Sequence, residues 1–220
     1  MHLTNSANFN TVDNCIIEVD VSSTTSSLIP VLASGSLTST GTTGDNANNT
    51  TISNCEINGG YYGIRFYGQS SALTSNLNNT IENCTLTDVY YYGIYTYYNG
   101  EFTAKGNVVN LLRNTASYAI YHYYGRHSTI EANDIKGART YAIYMVQNNQ
   151  TTSSPTMRSN IVNNMIVVLG AGDGIYLSAS DDVNIFHNTV VADTDQALWL
   201  NSTSNNYDVR NNIFVSNIEP

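Results

Sequence analysis

Charge is scarce in this chain, and most of what there is has one sign. Eight Lys and Arg stand against seventeen Asp and Glu among 220 residues, a net charge of −9. That balance opposes a phosphate backbone instead of attracting it, so nucleic acid is excluded as a natural partner. Long apolar runs are missing too. None approaches the roughly 20 residues of a membrane-spanning helix, and the start, Met1-His2-Leu3-Thr4-Asn5, has neither the basic nor the apolar region of a signal peptide. No glycine-rich phosphate cradle, no zinc-ligand spacing and no helix-period amphipathic stretch occurs. No cofactor or metal is implied by these residues.

What is present is repetition. An apolar residue is followed three positions later by Asn or Cys, and two positions after that by another apolar residue, eight times. The anchors are Cys15, Cys55, Cys84, Asn107, Asn133, Asn164, Asn188 and Asn212, spaced 40, 29, 23, 26, 31, 24 and 24 residues apart. Short apolar segments at a period in the twenties are the signature of a solenoid, whose repeats bury their inner faces only by stacking on neighbours. Asn, Ser, Thr and Tyr are abundant, which suits stacked strands with polar ladders. We expect one domain over residues 1–220. The last repeat opens at Asn212 just before the chain stops. An open coil end exposes strand edges and apolar side chains. The expectation is therefore that one or both end caps are missing, and that further coils, a cap or self-association cover the ends. The three cysteines all fall at anchors and should share one inward column, as buried thiols or as a bridged pair of stacked neighbours.

Between anchors a second motif recurs: Gly63-Ile64-Arg65-Phe66, Gly93-Ile94-Tyr95-Thr96, Ala119-Ile120-Tyr121-His122, Ala142-Ile143-Tyr144-Met145, Gly174-Ile175-Tyr176-Leu177 and Ala197-Leu198-Trp199-Leu200. Side chains alternate faces along a strand, which sends the Ile/Leu column into the core together with Phe66, Met145, Leu177 and Leu200. Arg65, Tyr95, Tyr121, Tyr144, Tyr176 and Trp199 then point outward, with Tyr67, Tyr97 and Tyr123 two residues further on. By the same alternation the Gly/Ala column should also face out, making a shallow strip between aromatic ridges. The first coil lacks a clean copy, and Val31-Leu32-Ala33 is the nearest candidate.

This motif pair resembles the right-handed parallel β-helix repeat family, which includes pectate lyases, polygalacturonases, chondroitinase-B-like lyases, phage tailspikes and bacterial surface proteins. The resemblance covers nearly the whole chain. It implies an all-β, single-stranded, right-handed parallel β-helix of about eight coils. It further implies that the Gly-Ile-Tyr strand forms the first sheet, that the anchor Asn forms an inward ladder between the second and third sheets, and that polysaccharide clefts lie on the first sheet. Such proteins act outside the cell or at its surface, as parts of longer secreted chains.

Tyr and Trp combine an apolar face with a polar tip, which suits sugar rings. The substrate-binding candidates are accordingly Tyr95, Tyr97, Tyr121, Tyr123, Tyr144, Tyr176 and Trp199, and the expected partner is a polysaccharide. Two other readings stand beside this one: rings that stack only to stabilise neighbouring strands, and a face buried against another protein surface. The family's lyases imply Lys or Arg near the first sheet, often with Ca²⁺ on nearby carboxylates. Here Lys105 and Lys136 fall near the anchor segments instead, and Arg113, Arg126 and Arg139 fall in turns. The hydrolases imply clustered Asp; Asp181-Asp182 and Asp193-Thr194-Asp195 are the nearest pairs, but read as turn residues. Catalytic candidates reduce to Arg65, Asp173 at the entrance of the sheet, and His127, expected to be exposed. His122 reads as a hydrogen-bonded core residue. Longer loops over residues 22–51, 67–79 and 147–159 are expected to rise beside the first sheet. The functional expectation is polysaccharide recognition, with a polysaccharide lyase or glycoside hydrolase and a ligand-free stalk as alternatives.

Overall fold

The computed structural model describes residues 1–45, 47–69, 76–113, 116–149 and 157–217, and the regular elements among them are all β-strands. They form three eight-stranded parallel sheets. Each coil supplies one strand to each sheet in the order second, third, first. Thr103–Lys105 precedes the anchor, Val108–Asn110 follows it and Tyr118–Tyr123 carries the second motif. No helix among the described residues is long and apolar enough to cross a membrane. Residues 70–75 and 150–156 lie outside the described residues, and with them about half of each of two of the expected longer loops.

The register stacks like on like. Ile64, Ile94, Ile120, Ile143 and Ile175 are consecutive partners on the first sheet. Ile52, Ile81, Ala104, Ile130, Ile161 and Ile185 do the same on the second, and Ile57, Leu86, Val109, Ile135, Ile166 and Val190 on the third. All of these side chains are fully buried. At about 1.5–3 kcal/mol per buried aliphatic side chain, the three columns are the main source of stability. A one-residue slip would turn every Ile outward, and this fixes the register. At either end of the stack Ile16 and Ile213 remain exposed.

Sharp corners between the second and third sheets require left-handed backbone. The residue before every anchor has φ between 52° and 66°: Asn14, Asn54, Asn83, Gly106, Ala132, Asn163, His187 and Asn211. Asn and Gly tolerate this region at low cost, and five of the eight are Asn. The expected Asn ladder lies immediately after this corner. The Asn133 Oδ1 accepts from the backbone N–H and the Nδ2 of Asn107, each at 3.0 Å, while its own Nδ2 donates to Ala104 O and Asn164 Oδ1. Asn164, Asn188 and Asn212 repeat the pattern. From Asn107 onward the ladder thereby supplies partners to backbone groups that the corner buries.

All three cysteines are free, and each thiol donates to the carbonyl two residues before it, so they share one column whose first member lies at the end of the stack. Cys55 and Cys84 are buried, whereas Cys15, in the first coil, is exposed. The Cys84 thiol donates weakly to Glu82 O and Ile52 O, and burial pushes its pKa up to about 11.

The Gly/Ala column departs from the alternation expected of it. Gly63, Gly93, Ala119, Ala142, Gly174 and Ala197 are buried. A Cβ on Gly174 would lie 2.2 Å from Val190 Cγ1 of the third sheet. Two consecutive residues thus face inward where the chain bends into the first sheet, and the small residue is demanded by close packing. The outward position falls to the residue before it, so there is no shallow strip of small residues on the surface.

Candidate ligand-binding face

Three outward columns cover the first sheet, and the Gly/Ala column expected among them gives way to an aromatic one. The first is Tyr62, Tyr92, Tyr118, Tyr141 and Asp173, which the alternation rule had missed because of the bend. The second is Arg65, Tyr95, Tyr121, Tyr144, Tyr176 and Trp199, as expected. The third is Tyr67, Tyr97, Tyr123, Val146 and Ser178. The flanking Tyr61, Tyr90, Tyr91, Tyr98 and Tyr124 join them through ring contacts. Sixteen of the seventeen tyrosines and the single Trp form one continuous plate; only Tyr207 stands apart.

Ring orientation decides what this plate offers. Along the second column the centroids of Tyr121, Tyr144, Tyr176 and Trp199 follow at 4.8, 4.9 and 4.5 Å, with planes within 19° of parallel. Tyr62 and Tyr92 stack at 4.8 Å, and Tyr67 and Tyr97 at 4.6 Å. Most ring faces are thus occupied by the next coil, at about 0.5–1.5 kcal/mol per pair beyond area burial. Tyr176 is only 7% exposed, and Tyr95, Tyr97, Tyr121, Tyr123 and Tyr144 are half-buried. Only Trp199, 42% exposed, keeps a large open surface. What the stacked rings present is their edges and hydroxyl tips.

Those hydroxyls are held neutral. Burial, then repulsion from neighbouring phenols, pushes Tyr92, Tyr118 and Tyr121 well above the usual phenol range. Tyr123 is pushed up to about 12, first through its hydrogen bond with Tyr124 and then by burial. Further hydroxyls are tied to neighbours: Asn201 Nδ2 donates to Tyr176 Oη at 3.0 Å, Tyr144 is hydrogen-bonded to Ser178, Tyr97 to Tyr98 and Tyr118 to Tyr91. The plate is a lawn of neutral donors and acceptors over an apolar body.

Two charged side chains lie in the outward columns of the first sheet. Arg65 is in the second coil, with its guanidinium carbon 4.6 Å from the Tyr62 ring centroid, 4.4 Å from Tyr67 and 5.6 Å from Tyr95. Asp173 takes the Tyr position of the first column in the sixth coil and is buried. Burial, then the charge of Asp195, raises its pKa to about 7, while the Gln196 N–H donates to both carboxylates at 3.0 Å and opposes that rise. Tyr141, the coil below, is pushed up to about 12 by burial and by Asp173. The structure therefore joins Asp173 to Asp195, a pairing the sequence separation concealed.

The remaining candidates scatter. His127 is half-buried, contrary to the expected exposure: both ring nitrogens are buried and lack a partner among the described residues. It lies in the turn after the first-sheet strand. His122 is a core residue as expected. Its imidazole bridges Thr96 Oγ1 at 2.5 Å and Ser128 Oγ at 2.8 Å, and burial lowers its pKa to about 3. Lys105 and Lys136 pair with Glu131 and Asp134 on the second and third sheets, far from the plate in the fold. Arg126 pairs with Glu101 at 3.9 Å and Arg113 caps the carbonyls of Asp88 and Ser23. A second polar ladder, unforeseen, closes the corner after the first sheet: Asn99, Asn148 and Ser180 donate to carbonyls of their own and the preceding coil. Its signal was an Asn or Ser two residues beyond the third outward column.

Searches of curated proteins and of solved structures return no match to the chain. A family model described as the right handed beta helix region matches residues 40–214. With three stacked parallel sheets and the Asn corner ladder behind that match, the chain belongs to the right-handed β-helix family.

Proposed function

We propose that this β-helix is a polysaccharide-recognition module of the cell exterior, binding a glycan chain along the tyrosine plate of its first sheet. The observation that carries the reading is the segregation of sixteen tyrosines and the only Trp onto one outer face. Strand pairing alone is served on the second and third sheets by Thr, Glu, Asn and Val at the outward positions. From Arg65 to Trp199 the second column crosses six strands, roughly 24 Å at about 4.8 Å per strand, the reach of several sugar units. Because ring faces are mostly covered, recognition would come through hydroxyl tips that exchange hydrogen bonds with sugar hydroxyls. Trp199 alone offers a broad surface for a sugar face.

The edge-on geometry changes the test. Replacing Tyr121, Tyr144 and Tyr176 together by Ser would remove the stack itself and confound binding with folding. Tyr→Phe keeps each ring in place and deletes only the tip. We expect Tyr97→Phe, Tyr121→Phe and Tyr123→Phe combined to weaken glycan binding at least tenfold, with the circular dichroism and unfolding midpoint nearly unchanged. Affinity measured by calorimetry on the best ligand from a glycan array decides this. Undiminished binding by a folded triple variant would sink the proposal and favour a purely structural ladder.

One observation favours a second reading, a glycoside hydrolase: Asp173 is a carboxyl near neutrality in contact with a second carboxylate. A general acid needs a carboxyl that is still protonated near neutral pH. Release of reducing ends by the wild type, lost in Asp173→Asn with binding retained, would move the account to that reading.

A further inference from the structure

The three cysteines stand one above another at the same corner of consecutive coils. Asp13 pairs with Ser53 and Ile16 with Glu56 on either side of Cys15 and Cys55, and the Glu56 N–H donates to Cys15 O at 2.9 Å, so the two cysteines are register partners. Cys55 and Cys84 are placed alike, with Ser53 paired to Glu82, Glu56 to Thr85, and the Thr85 N–H donating to Cys55 O at 2.9 Å. Neighbouring strands lie about 4.8 Å apart, inside the roughly 4.4–6.8 Å range of Cα separations that a disulfide spans. The side chains share an orientation as well. Each thiol donates to the carbonyl two residues before it, at 3.3, 3.0 and 3.4 Å in chain order. Cys55 Sγ also reaches Val12 O at 3.6 Å, so it leans into the coil that carries Cys15.

Access separates the three. Cys15 is exposed, whereas Cys55 is 1% exposed and Cys84 is fully enclosed. A reagent in solution therefore meets Cys15 first, and the sulfur placed to resolve the product is Cys55, one coil away. Cys84 stands behind Cys55, and burial holds its thiol protonated. That removes it from the competition, because the thiolate is the attacking species. The first coil is also where a covalent tie adds most. Its strands Thr11–Asp13 and Ile16–Glu18 are mostly exposed, and Val12 and Ile17 are only partly buried where Ile52 and Ile57 of the second coil are fully buried. A coil with a neighbour on one side only is the part of a solenoid that opens at lowest cost.

We propose that Cys15 and Cys55 form a thiol–disulfide exchange site for low-molecular-weight disulfides, and that the bond they make staples the first coil to the second. The Cys15 thiol gives its proton to solvent and attacks one sulfur of the small disulfide; the new S–S bond forms as the old one breaks, and the first small thiol leaves. Cys55 then loses its proton and attacks Cys15 Sγ in the mixed disulfide, and the second small thiol leaves. Two protein thiols and one small disulfide become one protein disulfide and two small thiols, a two-electron oxidation of the protein matched by a two-electron reduction of the reagent. The bridge closes the 40-residue span from Cys15 to Cys55 and so constrains the unfolded chain. The site is independent of what the tyrosine plate binds.

The experiment incubates the whole chain with oxidised glutathione at about pH 8, alkylates the remaining thiols in denaturant, and maps the product by mass spectrometry without reduction. Wild type should lose two of its three free thiols and yield a Cys15–Cys55 linked peptide pair. Its unfolding midpoint should rise by about 5 °C or more, reversed by dithiothreitol. Cys84→Ser should form the same bridge, while Cys55→Ser should stop at a glutathione adduct on Cys15. If Cys55→Ser does not fold, the maps of wild type and Cys84→Ser decide the matter. A wild-type product that stops at the Cys15 adduct, a bridge between two chains through Cys15, a Cys55–Cys84 bridge, or three thiols left free overturns the site. A Cys15–Cys55 bridge with no gain in midpoint overturns the staple.

Discussion

Replacing Asn133 by Ala should cost about 3 kcal/mol or more of unfolding free energy, among the largest losses any single polar substitution in this chain can produce. The Asn133 amide satisfies the N–H of Asn107 from one side and the carbonyl of Ala104 from the other, and both are fully enclosed. Removing it leaves two buried backbone groups orphaned, at about 1–3 kcal/mol each, and breaks the ladder between Asn107 and Asn164. The chain supplies its own control, since Cys occupies the same position in the first three coils. A thiol donates and accepts weakly, and Cys84 does reach two carbonyls. Asn133→Cys should therefore lose distinctly less than Asn133→Ala. Urea unfolding of the two variants measures the difference. Losses below about 1 kcal/mol for Asn133→Ala would show that the ladder is incidental and that the Ile columns alone hold the corner.

Above about pH 10 the protein should unfold in one steep transition in which tyrosine ionisation and loss of β-structure coincide. The sign follows from the direction of the shifts. An unfolded tyrosine ionises near pH 10, whereas burial raises Tyr92, Tyr95, Tyr97, Tyr118, Tyr121, Tyr141 and Tyr144 above that value in the fold. Between the unfolded and folded values the native state binds more protons than the unfolded one. Stability is thus complete below pH 10 and falls continuously as pH rises beyond it. With so many shifted phenols in one plate, the slope should be several protons steep. Following tyrosinate absorbance and circular dichroism in the same titration tests this. Smooth ionisation of the tyrosines near pH 10 with the β-signal intact would mean that the rings are solvated and the plate is loose.

The architecture was legible in the sequence because its causes are periodic. The Asn and Cys anchors, the Ile columns and the Gly-Ile-Tyr strand each recur at the spacing of one coil, and stacked coils convert periodicity into contact with little ambiguity. The face was legible only in part. Alternation placed Tyr95, Tyr121, Tyr144, Tyr176 and Trp199 correctly, since their strands are regular from the Ile onward. It failed one residue earlier, where Gly93 and Ile94 both face inward, and so it missed Tyr62, Tyr92, Tyr118 and Tyr141. The period-two rule holds within a strand and not across a bend. Ring orientation was out of reach altogether. Whether a tyrosine offers its face or its edge depends on χ angles set by the neighbouring coil, and stacking at the strand spacing turned the faces toward each other. The Asp173–Asp195 contact was likewise hidden, because it joins the first sheet of one coil to the turn of the next.

The central claim is that the tyrosine plate is the surface on which a polysaccharide lies. Its most direct test is footprinting of tyrosine reactivity by mass spectrometry, using a hydroxyl-directed acylating reagent with and without a saturating glycan. Tyr207 serves as an internal reference, being off the plate with its hydroxyl donating to Ser204 O at 2.6 Å. The account predicts protection of Tyr95, Tyr97, Tyr121, Tyr123 and Tyr144 on ligand addition, with Tyr207 unchanged. Protection elsewhere, or none on the first sheet despite measured binding, would contradict it.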